Sequence, residues 1–245
     1  MRAREFFERF ILTRKCPACG ELISYENRKE AFCSECRARW DVLKTRECNI
    51  CGRAMCECIC MTKTLSDSGA LCHHKLVAYT RDSVVHNTVS FIKRNENERI
   101  SGFLAEQMYL VLRADKDLPP LDADSFVITF VPRGRRAVLK YGVDQSRELA
   151  LALSRISNIP FAETTNRLRG GKEQKKLTAA QRRKNVQKLF VPCEDIDASV
   201  GGKTVILIDD VVTTGASMSA AVHHLIRARA GAVICLSVAS TPDNK

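Results

Sequence analysis

Val205-Ile206-Leu207-Ile208-Asp209-Asp210-Val211-Val212-Thr213-Thr214-Gly215-Ala216-Ser217 holds an apolar run, two adjacent acids and a hydroxyl-rich glycine turn within one short stretch. The unbroken run Val205 to Ile208 suits a strand covered on both faces, as in a parallel sheet. Asp209 and Asp210 then fall at the carboxyl end of that strand, where open α/β sheets bind their ligands. Thr213, Thr214 and Ser217 supply hydroxyls, and Gly215 lets backbone amides approach an anion at the start of a helix. An acidic half beside an anion-binding half fits a ligand with vicinal hydroxyls and a phosphate, such as a ribose 5-phosphate.

Outward from that stretch, hydrophobic periodicity gives an alternating order of strands and helices. Leu76 to Thr80 and Phe126 to Val131 read as strands, and Ala232 to Ala239 as the last one. Between them lie helices with Val85, Val89 and Ile92 on one face, and with Leu104, Met108 and Val111 on another. Asp144 is placed to cap a helix that turns Leu149, Leu153 and Ile156 inward. The helix after the glycine turn carries Val222, Leu225 and Ile226 and is expected to close at Gly231. At the N-terminus, Arg4 to Leu12 forms a short helix with Phe6, Phe7, Phe10 and Ile11 on a broad apolar face. The expectation is an α/β fold with a mainly parallel sheet over residues 73–245.

The chain has 245 residues and twelve cysteines, ten of them at or before Cys72. Its start, with Arg2, Arg4, Glu5, Glu8 and Arg9, lacks the apolar core of a signal peptide. No apolar run approaches membrane-spanning length, so a cytoplasmic location is expected. In that compartment clustered cysteines favour metal over disulfides. Cys16-Pro17-Ala18-Cys19-Gly20 with Cys33 and Cys36 reads as a tetrahedral Zn-S₄ site. Cys48-Asn49-Ile50-Cys51-Gly52 repeats the opening, and Cys58 with Cys60 completes a second site, leaving Cys56 spare. Cys72, His73 and His74 remain open as alternative ligands of that second site. Two structural zinc ions would supply folding energy to a segment too poor in large apolar side chains to bury a core alone.

Formal charge separates the two halves. Residues 1–72 carry 13 Lys and Arg against 10 Asp and Glu. Eight zinc-bound thiolates and two Zn²⁺ would turn that excess to about −1. A nucleic-acid clamp needs a clear positive excess, so this part reads as a structural or docking module. Residues 167–188 contain nine basic side chains and one acid, Glu173, which accounts for the positive excess of the C-terminal part. Gly170-Gly171 loosens the start of this segment, and Thr178 with Gln181 makes a capping box for a short helix. Residue types alone leave two readings open: a solvated or nucleic-acid-binding face, and a basic loop closing over a pyrophosphate.

The Val205–Ser217 stretch resembles the phosphoribosyl-pyrophosphate (PRPP) motif of type I phosphoribosyltransferases. Cysteine pairs ahead of such a motif are the arrangement of ComF family proteins. Pro132-Arg133-Gly134-Arg135-Arg136, Lys140 to Ser146, and Arg167 with Gln174, Leu177, Arg182, Arg183 and Asn185 are similar to that family's intervening segments. Val143 and Asp144 depart from the family's usual Phe and Asn. The resemblance implies a phosphoribosyltransferase type I fold at 73–245 behind a double zinc-ribbon domain at 1–72. It implies that Asp209 and Asp210 hold the ribose hydroxyls, directly or through Mg²⁺. It also implies that Val211, Thr213, Thr214, Gly215, Ala216 and Ser217, with Arg133 and Arg182, hold the phosphates. Three function classes follow from it: a phosphoribosyltransferase with an unidentified nitrogen acceptor, a non-catalytic PRPP or nucleotide binder, and an accessory factor in DNA uptake. The third would contact single-stranded DNA, or a DNA-processing protein, through residues 167–188.

Overall fold

A computed structural model describes residues 14–168 and 188–241. The expected helix at Arg4 to Leu12, the Gly170-Gly171 pair, the Thr178–Gln181 capping box and Arg182 all lie outside the described residues. Six strands are described: β1 (Cys72–Ala78), β2 (Phe126–Phe130), β3 (Thr165–Arg167), β4 (Phe190–Pro192), β5 (Thr204–Val212) and β6 (Ala232–Ser240). The helices are α1 (Ser34–Thr45), α2 (Lys63–Ser66), α3 (Ser83–Ile92), α4 (Glu98–Ala114), α5 (Arg135–Tyr141), α6 (Gln145–Ser157), α7 (Ile196–Val200) and α8 (Ala216–Arg227). The main sheet has the order β1-β6-β5-β2, and all of its pairs are parallel. β3 and β4 form a separate antiparallel pair, a short stem.

Alternation along the strands sends side chains to two cores, because successive residues of a strand point to opposite faces. Ile206, Ile208, Ile234 and Leu236 join Leu104, Met108, Leu149 and Leu153 from α4 and α6. Val205, Leu207, Val233 and Cys235 face Met218, Ala221, Val222 and Leu225 of α8. A sheet buried on both sides explains why β5 reads as a continuous apolar run rather than an alternating one. The first core also takes in Cys16, Phe32, Cys36 and Trp40 from the cysteine-rich region. Phe32 stacks on Trp40 with ring centroids 5.6 Å apart, and Phe103 of α4 meets Phe32 edge-on at 5.4 Å. The segment that was too poor in apolar side chains to make its own core borrows one from the helical layer.

Several expectations shift by a few residues. β1 starts at Cys72, ahead of the expected Leu76, and runs through two buried histidines that masked the strand pattern. His73 Nε2 meets Ser237 Oγ at 2.8 Å within the sheet, and His74 Nε2 lies 3.1 Å from Asp115 Oδ2 without a hydrogen bond. Asp144 caps α6 as expected, accepting a hydrogen bond from the Arg147 amide. Leu149 and Leu153 are buried, but Ile156 is 38% exposed, because it lies in the last turn before the left-handed Asn158. Ile226, also in a final turn, is 42% exposed and rests against Gly69, where a Cβ would come within 2.7 Å of it. Gly231 does not close α8. The helix stops at Arg227, and Arg229 takes the left-handed φ of 60°. Gly231 instead permits a close approach, since a Cβ there would sit 2.8 Å from the Gly202 carbonyl oxygen.

Candidate functional site

Asp209 and Asp210 were expected at the carboxyl end of the strand that runs through Val205 to Ile208. β5 in fact continues to Val212, which pairs with Ser240, so both acids belong to the last residues of the strand itself. That position fixes their backbone at the end of the ladder, with both carboxylates in reach of the first residues of α6. Ser146 Oγ donates to Asp209 Oδ1 at 3.0 Å, and the Asp210 amide donates to the same oxygen at 2.9 Å. Gln145 Nε2 donates to Asp210 Oδ2 at 3.0 Å, and Lys93 Nζ lies 3.2 Å from that oxygen. Burial, and then the neighbouring charge of Asp210, push the Asp209 carboxyl well above the usual range. Burial disfavours the charged form of a carboxylate, and a second carboxylate beside it adds to the effect. A divalent cation or a pair of ligand hydroxyls would supply the missing positive end, so the acidic pair fits Mg²⁺ by donor chemistry.

The turn after β5 is built for close contact. Thr213 and Thr214 are exposed, while Gly215 is buried with φ 75°. A Cβ on Gly215 would approach Thr62 Oγ1 to 2.6 Å and Leu65 Cβ to 3.4 Å, so the residue is glycine for space as well as for dihedral. Thr62 Oγ1 donates to the Thr214 carbonyl at 3.3 Å, and also accepts from the Leu65 amide as the cap of α2. Among the described residues, the amides of Thr213, Thr214 and Gly215 meet no protein acceptor, and the Ala216 amide meets only Thr214 Oγ1, at 3.4 Å. Ala216 and Ser217 open α8, whose unpaired first amides add to the same positive rim. Val211, half-buried, lies between this turn and the acids.

Arg133 follows β2 at the neighbouring strand end, but its guanidinium is already engaged. Nη1 donates to the carbonyls of Lys93 and Val143 at 2.6 and 3.2 Å, and its amide donates to Asp144 Oδ2 at 2.8 Å. The side chain therefore ties the end of α3 to the loop before α6. On the stem, Arg167 stacks over Phe190; burial lowers its pKa, and the carboxylates of Asp209 and Asp144 act against that lowering. This places the root of the basic segment within electrostatic reach of the acidic pair. Sequence reasoning gave Lys93, Gln145 and Thr62 no role in the site. Lys93 is 117 positions from Asp210 in the chain, and only the fold of α3 onto the sheet joins them.

Both cysteine clusters assemble. The sulfurs of Cys16, Cys19, Cys33 and Cys36 lie within 4.8 Å of one another, as do those of Cys48, Cys51, Cys58 and Cys60. Cys19 Sγ and Cys33 Sγ are 3.7 Å apart, close to the edge of about 3.8 Å for a tetrahedron with ~2.3 Å Zn–S arms. Burial raises the Cys48 thiol, but the amides of Cys51 and Ile50 outweigh it and bring the pKa down to about 7. Amides aimed at sulfur favour the thiolate, the form a metal needs. Both quartets thus have the donor set of a zinc site. Cys56 and Cys72 stand outside them, and burial pushes the Cys72 thiol up to about 12. The alternative ligands Cys72, His73 and His74 are committed to β1 and its pairing with β6, which removes them from the second cluster. Of the other histidines, His224 Nε2 lies 3.1 Å from the Phe190 carbonyl oxygen and so sits in the packing of α8.

Comparison with known proteins agrees with this geometry. Residues 137–245 match the phosphoribosyl transferase domain family. The chain is 28% identical over 206 residues to competence protein ComFC of Bacillus subtilis, covering 80% of this chain and 78% of that protein. It is 32% identical over 107 residues to DNA utilization protein YhgH of Escherichia coli, covering 43% of this chain and 45% of that one. A hypoxanthine phosphoribosyltransferase structure from Staphylococcus aureus aligns at 15% identity and a TM-score of 0.37, over 68% of this chain and 76% of that one. That score is too low to carry an argument. Residues 137–245 thus carry a phosphoribosyl transferase domain on a parallel sheet, and with its paired four-cysteine clusters the chain is similar to ComF proteins.

Proposed function

We propose that this protein binds PRPP with Mg²⁺ at the carboxyl end of β5 and transfers its phosphoribosyl group to a nitrogen acceptor. The observation that carries this reading is the juxtaposition of two adjacent carboxylates at the end of β5 with a turn whose amides take almost no protein acceptor. In this reading the 5-phosphate lies against Thr213, Thr214, Gly215, Ala216 and Ser217, and the ribose hydroxyls face Asp209 and Asp210. Bound Mg²⁺ would neutralise charge on the pyrophosphate and the acids. Lys93 and Gln145 hold Asp210 in register, and Ser146 does the same for Asp209. The acceptor nitrogen's lone pair forms the bond to the anomeric carbon as the carbon–oxygen bond breaks, its electron pair leaving with pyrophosphate. The nitrogen's proton passes to water. Carboxylates beside the ring stabilise the positive charge that develops on it. Residues 1–72 serve as the structural or docking module, and residues 73–245 carry the ligand.

The test is calorimetric titration of PRPP, with and without Mg²⁺, into the zinc-loaded full chain and into an Asp209→Asn/Asp210→Asn double variant. Loss of the Mg²⁺-dependent affinity in a variant that still melts cooperatively supports the reading. Unchanged binding removes it. Pyrophosphate release with nitrogenous acceptors then separates a transferase from a PRPP binder. A second reading follows from the names of the relatives, competence and DNA utilization. In it the protein serves DNA uptake and contacts single-stranded DNA through residues 167–188. Affinity for an oligonucleotide should then fall steeply with salt, and a salt-insensitive affinity would contradict it.

A further inference from the structure

Lys75 lies within β1, where it pairs with Ser237 of β6, and it is only 5% exposed. A lysine is almost never so buried without an anion beside it, because an unpaired charge loses its hydration for nothing. Among the described residues no carboxylate comes within ion-pair distance of this ammonium. Nζ instead donates to the Cys60 carbonyl at 2.6 Å, which satisfies one donor and none of the charge. The second quartet stands where the anion should be. Four thiolates around one Zn²⁺ leave a formal charge of about −2. Burial pushes the Cys58 thiol up, and the Cys60 amide and then the charge of Lys75 pull against that rise.

The surroundings of the first quartet are different. Cys19, Cys33 and Cys36 border a cleft of about 300 Å³, whose wall carries Glu21 and Glu35 against Arg39. Arg39 already pairs with Asp82 at 2.8 Å, and its side chain is 55% exposed. Three of the four sulfurs therefore face an opening in which the acids are not neutralised. Cys48 and Cys60 border a smaller space of about 100 Å³, with Lys75 in its wall.

We infer that Lys75 is the counter-ion of the second quartet, a positioning residue that holds its zinc in place, and that the first quartet, lacking one, is the exchangeable metal site. Attraction between a buried ammonium and a doubly negative metal centre is screened little by salt. Taking the metal from the second quartet would leave Lys75 as an uncompensated charge inside a sheet strand. That zinc is thus tied to β1. The first ion is open to a chelator entering by the cleft, and its departure strands no buried cation among the described residues.

The test mixes the zinc-loaded full chain with excess pyridylazoresorcinol, whose colour follows zinc release. Iodoacetamide is added at intervals, and mass spectrometry of the peptides shows which thiolates have displaced iodide and become alkylated. The expected result is release in two steps of one ion each, the second at least about tenfold slower. Cys16, Cys19, Cys33 and Cys36 should be labelled with the first step, and Cys48, Cys51, Cys58 and Cys60 with the second. Release of both ions in a single step, or earlier labelling of the second quartet, overturns the inference without any variant. Lys75→Met keeps the length of the side chain and removes its charge. It should speed the second step about tenfold and leave the first within about twofold. Lys75→Arg, which keeps the charge, should return the second step toward wild type. A role in packing alone predicts the opposite order, with methionine tolerated better than the bulkier arginine. Wild-type release from Lys75→Met, or faster release from Lys75→Arg than from Lys75→Met, would remove the counter-ion assignment.

Discussion

The two cysteine quartets open with the same Cys-x-x-Cys-Gly signature, yet the fold uses them differently. The first sits on the helical layer: Cys16 and Cys36 join the core that holds Phe32, Trp40 and Phe103. The second packs with Met55 and Ala78 in a small cluster of its own, at the end of β1. From Cys60 the chain needs only Met61 to reach Thr62, which touches the Thr213–Ser217 turn. A repeated signature thus fixes the local chelate but not its task. One copy braces a core, and the other braces the turn after β5.

Replacing one ligand in each quartet should break that comparison most visibly. Structural zinc supplies about 10–16 kcal/mol of apparent binding energy in small zinc-finger peptides, so losing either ion is the largest effect expected. Cys36→Ser should lower Tm and red-shift the emission of Trp40, the chain's only tryptophan. Cys60→Ser should leave that emission nearer to wild type and weaken ribose 5-phosphate binding more. Equal changes in emission and affinity for the two variants would erase the distinction. Next in size, Trp40→Ala empties a fully buried site and should cost about 3–5 kcal/mol in a urea melt, with phosphate affinity little changed.

Asp209 gives a pH signature at the end of β5. Asp209 titrates above its unfolded value of about 3.9, so between the two values the native state binds more protons than the unfolded one. Stability of the ligand-free chain should therefore be fullest below that window and fall as pH rises through it. Asp209→Asn removes this fall, which Tm measured at acid and at neutral pH will show; parallel profiles for the two proteins would contradict it. The smallest effect is expected at the joint. Thr62→Ala loses the bond to Thr214 and the cap of α2, worth about 1–2 kcal/mol together. Thr62→Ser should restore both, and a Thr62→Ala chain with wild-type phosphate affinity would uncouple the second quartet from the turn.

Much of the fold was legible because burial on both faces leaves an unmistakable mark. Val205 to Ile208 and Ala232 to Ala239 could be read as strands without any partner in view. The Asp144 cap was equally plain, since capping is local chemistry. The ends of elements were harder, as Ile156 and Ile226 show: periodicity continues to the last turn, whereas the core stops before it. His73 and His74 hid the start of β1 because the neighbours of their polar rings, Ser237 and Asp115, are far away in the chain. The stem of β3 and β4, with three residues per strand, left no pattern long enough to see. At the site, the acids and the glycine turn were readable as a contiguous stretch. Lys93, Gln145 and Thr62 were not, because contacts between distant segments have no spacing rule.

The order of strands across the sheet sets a timetable for biosynthesis. β6, the last strand of the described chain, sits between β1 and β5 rather than at an edge. As the ribosome releases the polypeptide, Cys72–Ala78 must wait for Ala232–Ser240 before it gains a neighbour. Both thiol quartets have emerged long before then and can capture their ions first. Nascent chains should therefore carry metallated knuckles ahead of an unassembled sheet, and a stop codon before Ala232 should forfeit the whole C-terminal fold rather than trim it.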